Sequence, residues 1–90
     1  MRYVFDAGKD AINQAKHGVS LALAEALFAG PHISITDDRF NYGEAREVAF
    51  GGINSRLFAC VYTDRGRERR VISLRKANRR EVKRYGEILE

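Results

Sequence analysis

The stretch RLFACVYTDRGRERRVISLRK, Arg56–Lys76, holds two β-prone runs on either side of one glycine. RLFACVYT (56–63) is apolar at consecutive positions, the pattern of a strand covered on both faces and so central in a sheet. ERRVISLRK (68–76) alternates instead. A regular strand would put Val71, Ser73 and Arg75 on one face and Arg70, Ile72, Leu74 and Lys76 on the other. DRG (64–66) suits a hairpin turn between them. Upstream, REVAFGG (46–52) alternates with Arg46, Val48 and Phe50 on one face and Glu47 and Ala49 on the other, and INS (53–55) forms a tight turn. HISIT (32–36) is one more strand, and DDRFNYGEA (37–45) is a polar loop carrying Phe40 and Tyr42. These segments predict an antiparallel meander of about four strands.

Helices flank the meander. Short, β-prone YVF (3–5) precedes Asp6, whose carboxylate suits an N-cap. A helix follows from about Ala7 to Lys16, with Ala11, Ile12 and Ala15 as a thin apolar face and Lys9, Asn13 and Lys16 along a polar edge. His17-Gly18 ends it. VSLALAEALFAGP (19–31) is a second helix, capped by Ser20, buried through Leu23, Leu27 and Phe28, and stopped by Gly30-Pro31. After the last strand, Asn78 and Glu81 stand as cap and N3 partner of a third helix with Val82, Tyr85 and Leu89 as its apolar stripe. The order is β-α-α-β-β-β-β-α. It is an α+β fold, read as one domain over residues 1–90 with the helices on one face.

Charge is unevenly placed. Arg65–Arg84 carries ten Lys and Arg against two Glu, whereas the 64 residues before it carry six basic and eight acidic side chains. The apolar VISL inside the run shows that it is mounted on a strand and a helix rather than on a disordered tail. Its joint, Arg75-Lys76 to Arg79-Arg80, reads as a rigid cation cluster suited to a polyanion such as nucleic acid. A solvated surface that aids solubility is the alternative.

Other classes recede. Cys60, the single cysteine, sits in an apolar run and reads as a core residue rather than a nucleophile. No Cys or His pair has metal-ligand spacing, Asp37-Asp38 reads as loop, and no phosphate-binding glycine motif occurs, so neither a metal nor a cofactor is expected. No signal-like start or long apolar run appears, so the expectation is a soluble cytoplasmic protein without membrane contact. The remaining chemistry needs no metal. In RNA the 2′-hydroxyl attacks its own phosphodiester, and the enzyme aligns that attack, stabilises the phosphorane charge and moves two protons. DNA lacks that hydroxyl, so these residues suit RNA.

Three stretches resemble the BrnT family, toxins of bacterial type II toxin–antitoxin pairs. VFDAGKDAINQAKHGVSLALAEALF (4–28) carries Asp6, Lys9, Asn13, Lys16, His17, Gly18, Val19 and Ser20 of the family pattern. GEAREVAFG (43–51) carries Gly43, Glu44, Arg46 and Gly51. RVISLRKANRREVKRY (70–85) carries Arg70, Ile72, Ser73, Arg75, Ala77, Glu81 and Tyr85. The chain departs from the pattern at Val4-Phe5, Leu21 and Leu74, all apolar positions. The resemblance implies a RelE-like fold and a metal-independent endoribonuclease that arrests growth. It also implies a BrnA-type antitoxin partner with a ribbon-helix-helix region, and operator DNA reached only through the toxin–antitoxin complex.

Arg75 is the first catalytic candidate, to brace a phosphorane oxygen; the alternative is an ion pair with Glu81 or Glu47. Arg46 is a second phosphate clamp if it shares a sheet face with Arg75. Tyr85 is a proton donor or a core residue, Glu81 a base or only a cap, and His17 an acid or base or a helix-terminal residue whose charged form suits the dipole. Lys76, Arg79, Arg80 and Arg70 are assigned to RNA backbone, or to an acidic antitoxin face. Two further functions stay open: a basic module that binds nucleic acid without cutting it, and a subunit whose cations face an acidic protein.

Overall fold

The computed structural model describes residues 1–39 and 41–89; Phe40, one aromatic of the expected loop, lies outside the described residues. Among the described residues, strand β1 (Arg2–Val4) leads into helix α1 (Ala7–His17). A 3₁₀ turn (Leu21–Leu23) then precedes α2 (Ala24–Ala29). Strands β2 (His32–Thr36), β3 (Glu47–Ile53), β4 (Arg56–Arg65) and β5 (Glu68–Lys76) follow, then α3 (Arg79–Tyr85) and a closing 3₁₀ turn (Gly86–Leu89). The sheet order is β1-β5-β4-β3-β2, with β4 central as its two-sided apolar pattern requires.

The α+β class and the element order match the sequence reading; three features of the architecture do not. The sheet has five strands and is mixed, because β1 pairs parallel with β5 through Arg2↔Glu68 to Val4↔Arg70. The second expected helix is a 3₁₀ turn followed by a short α-helix, and Leu21, Ala24, Leu27 and Phe28 form its buried stripe while Leu23 is exposed. The helices also cover both faces. Leu21, Ala24, Leu27 and Phe28 pack on one face against Ala49, Phe58, Cys60, Tyr62, Val71 and Leu74. Tyr85 and Ile88, from α3 and its following turn, pack on the other against Val48, Phe50, Leu57 and Ala59.

Local chemistry sets the element ends. Asp6 accepts from the Lys9 amide at 2.9 Å, and Gly18 closes α1 at φ +76°, a conformation that favours glycine. Asn54 and Ser55 both take positive φ between β3 and β4, the form that matches strand twist in a two-residue hairpin. The second hairpin turn comes later than expected, because β4 continues to Arg65 before Gly66. Gly51 serves close packing: a Cβ there would lie 2.9 Å from Leu27, so α2 approaches β3 only over a bare backbone.

The docking of α1 inverts its expected polarity. Ile12 is 66% exposed, while Asn13 is buried. The Asn13 carboxamide donates to Leu74 O at 2.8 Å and to Val19 O at 2.9 Å, and accepts from Leu74 N at 3.1 Å. It satisfies the β5 edge beyond the reach of β1, where bare backbone groups would otherwise be stranded. Asp10 adds a second tie, accepting from the Leu21 amide at 2.7 Å and the Ser20 hydroxyl at 3.0 Å.

Replacing Asn13 with Ala removes these bonds and strands both Leu74 backbone groups. Urea denaturation of Asn13→Ala is expected to show a loss of about 2–4 kcal/mol. A loss under about 0.5 kcal/mol, typical of a surface change, would contradict this account of α1 docking.

Candidate active site

Arg75 reaches its position through an irregularity in β5. Val61 pairs with Ser73, but Tyr62 pairs with Val71, so Ile72 is an extra residue at a β-bulge. The expected alternation therefore breaks: Val71 and Leu74 both enter the α1/α2 core, and Ser73 and Arg75 turn to the α3 face. There Arg75 Nη1 and Nη2 donate to Glu81 Oε1 and Oε2 at 2.7 and 2.9 Å. Glu81 Oε1 also accepts from the Asn78 amide at 2.9 Å, while Asn78 accepts from the Glu81 amide. The expected capping box exists, and the same carboxylate grips the arginine.

This pair borders a groove of about 520 Å³ on the α3 face. Lys16 and His17, at the end of α1, stand on the same side with Ser73 and Arg75. Thr36, Asp37 and Arg39 form the opposite wall, and Ile35, Val48, Phe50 and Val61 give an apolar floor. Lys16, Arg39 and Arg75, interleaved with Asp37, Asp38 and Glu81, rim a surface on which a flat apolar group can lie.

The protonation states follow from these contacts. Hydrogen bonding from Arg75 holds the Glu81 carboxyl below the usual range, against the raised value a general base needs, so Glu81 is ionised and committed to Arg75. The His17 imidazole is also shifted down, first by burial, then by the charges of Lys16 and Arg75. The shift runs opposite to the direction that the helix dipole was expected to favour, and a ring below the usual imidazole value is mostly neutral at pH 7. Burial pushes the Cys60 thiol up to about 12, as expected for a core residue and not for a nucleophile.

Other sequence candidates lie elsewhere. Arg46 stacks on the Tyr42 ring at 3.9 Å, and its Nη2 is 3.5 Å from Glu44, away from the groove lining. Its Nε, like that of Arg70, is buried without a hydrogen-bond partner. Tyr85 stacks on Phe50 with ring centroids 4.3 Å apart. Lys76 is exposed, and Arg79 and Arg80 border a separate surface depression with Asn78 and Lys83. The rigid single cluster expected at the strand–helix joint is therefore split, because strand alternation and the bulge send successive cations different ways. Arg69 even serves the opposite face, lying over Phe28 and Tyr62 at 4.6 and 4.3 Å and pairing with Asp64 at 2.8 Å. Lys16 and Ser73 entered the sequence reading only as positions of the family pattern, without a site role, and Asp37 and Arg39 only as part of a polar loop whose spacing does not mark them. Among the described residues no three His, Cys, Asp or Glu side chains form a metal-binding group, and no helix is long and apolar enough to cross a membrane.

The profile of BrnT, the ribonuclease toxin of a type II toxin–antitoxin system, matches residues 5–81, spanning α1, the whole β2–β5 meander and Glu81. This chain belongs to the BrnT family. No curated protein gives a significant match. As a BrnT-family ribonuclease toxin it takes RNA as substrate and an antitoxin as partner. The match covers every residue that lines the groove.

The Glu81–Arg75 bond has a pH signature. Glu81 has a lower pKa folded than unfolded, so its stabilisation is complete above the unfolded value near 4.5 and is lost as pH falls through the folded value. Thermal melts of Glu81→Gln should show lower stability than the parent at pH 7 and a smaller difference by pH 3. A constant difference across that window would contradict the ion pair.

Proposed function

We propose that the groove holds one RNA phosphodiester beside Arg75 and His17 and cleaves it, without a metal ion, by attack of the neighbouring 2′-hydroxyl. Neutral His17 takes the hydroxyl proton as the oxygen bonds to phosphorus, and the bond from phosphorus to the 5′-oxygen breaks, leaving a 2′,3′-cyclic phosphate and a 5′-oxygen that takes its proton from solvent water to become a hydroxyl. Arg75 stabilises the negative charge on the phosphorane oxygens. Glu81 is a positioning residue that presents the guanidinium and stays ionised. Lys16 adds charge at the rim, and the apolar floor takes a base by its face, which favours no base by hydrogen bonding.

The observation that carries this reading is the His17 imidazole lining the same groove as a cation fixed by a bidentate carboxylate, with room for a nucleotide. Arg46 and Arg70 are assigned to phosphates farther along the strand. Lys76, Arg79 and Arg80 are assigned to RNA backbone or the antitoxin, and Tyr85 to holding α3 on the sheet. The fold is read as RelE-like and the site of action as the cytoplasm. The partner is read as a BrnA-type antitoxin that covers the groove, with operator DNA met only through that complex. Exposed Ile33 and Ile35 on β2 and Val82 on α3 supply apolar area beside the cations for such a partner.

Purified protein is mixed with mixed-sequence RNA in EDTA, beside Arg75→Ala and Arg75→Lys, with melting curves for all three. Cleavage in EDTA that falls about 10²–10³-fold in both folded variants is the expected result. A rate that rises with pH and levels off at a lower pH than an ordinary imidazole would give is expected from His17, because only the neutral ring accepts a proton. RNA that is bound but left intact, with or without ribosomes, would replace this reading with a binding module.

A further inference from the structure

We infer that Arg39 is a second anion clamp, facing Arg75 across the groove and aimed there by the buried carboxylate of Asp37. The inference deepens the ribonuclease reading and takes its groove as the substrate site.

Asp37 follows β2, and its side chain is only 2% exposed. A carboxylate so placed needs a full set of donors. Arg39 Nε donates to Oδ1 at 2.8 Å, Arg39 Nη2 donates to Oδ2 at 3.1 Å, and the Tyr42 hydroxyl donates to Oδ2 at 3.3 Å. The Asp37 amide is itself fixed, donating to Arg46 O at 2.8 Å where β3 begins. The anchor is therefore tied to the sheet, not carried by a free loop.

Arg39 shows the opposite burial, with its side chain 66% exposed. Asp37 engages the guanidinium through Nε and Nη2 and Tyr42 also bonds to it, while the side chain as a whole stays open to the groove. A surface ion pair that served only stability would gain little at such exposure. The buried partner instead fixes the direction of an exposed cation. Asp37 and Arg39 line the same groove as Arg75 and His17, and the charge of Arg39 acts on both Arg75 and Glu81. Two guanidiniums on opposite walls, each held by its own carboxylate, suit a phosphorane, whose charge spreads over several oxygens. Arg46 was expected to supply this second clamp, but Tyr42 and Glu44 engage it.

Two measurements on the full chain test the assignment: RNA cleavage in EDTA, and calorimetric binding of uridine 3′-monophosphate, a mononucleotide that cannot be cut. Arg39→Ala is expected to lower kcat about 10²-fold, with partial recovery on adding millimolar guanidinium, and to weaken mononucleotide binding about tenfold. Asp37→Asn, checked for folding by its melt, should lower kcat less, with no recovery from guanidinium. Cleavage by Arg39→Ala at the parental kcat, or a rise in KM alone, would overturn the clamp while leaving the ribonuclease reading intact. Arg39-dependent mononucleotide binding by a parent that cuts no RNA would keep the clamp and remove the ribonuclease reading.

Discussion

The Asn13 carboxamide stands in for a neighbouring strand at Leu74, and the placement of the groove depends on that substitution. Strand β1 covers β5 only over Glu68–Arg70. Beyond that point the edge of β5 would present bare backbone groups. One side chain with both a donor and an acceptor closes the gap at Leu74, and no apolar residue can do so. The choice turns the polar edge of α1 inward, leaves Ile12 in solvent, and carries Lys16 and His17 to Arg75. The bulge at Ile72 completes the geometry by turning Ser73 and Arg75 from the closed core toward the open face.

The ten cations of Arg65–Arg84 serve different purposes. Arg69 packs between aromatic rings on the α1/α2 face, Arg65 pairs with Glu44 at 2.9 Å, and Arg75 enters the groove. Arg79, Arg80 and Lys83 border the outer side of α3. Linear charge density marks the elements that carry function, but not which cation faces the substrate. In the groove that selection is made by acids: Glu81 orients Arg75, and Asp37 orients Arg39. Each of these two carboxylates is committed to its arginine, and the proposed mechanism gives proton transfer to His17.

Patterns that act over a few residues were legible in the sequence. The caps at Asp6 and Asn78, the left-handed Gly18, the positive-φ turn before Arg56 and the centrality of β4 all follow from local backbone chemistry. Features that depend on distant partners were not legible. YVF reads as a short strand, but nothing near it indicates a parallel pairing with Glu68–Arg70. A bulge leaves the residue types of VISL unchanged while reversing the face of Arg75. Asn13 reads as solvent-exposed beside Lys9 and Lys16, because its partner is a backbone sixty-one residues away. Asp37 and Arg39 sit in a polar run whose composition is that of any loop, and only burial separates an anchoring carboxylate from a solvated one. The BrnT resemblance supplied Asn13, Lys16 and His17 as matched positions without the reason for them.

The central claim is that RNA lies in the groove on the α3 face rather than along the outer cations of α3. The most direct test is a backbone amide NMR titration with a short oligonucleotide carrying a 2′-deoxy sugar at every position, which binds but cannot be cut. The account predicts that the largest shifts fall on Lys16, His17, Arg39, Ser73 and Arg75, with small changes at Arg79, Arg80 and Lys83. Shifts confined to Arg79, Arg80 and Lys83, with the groove residues unmoved, would contradict it.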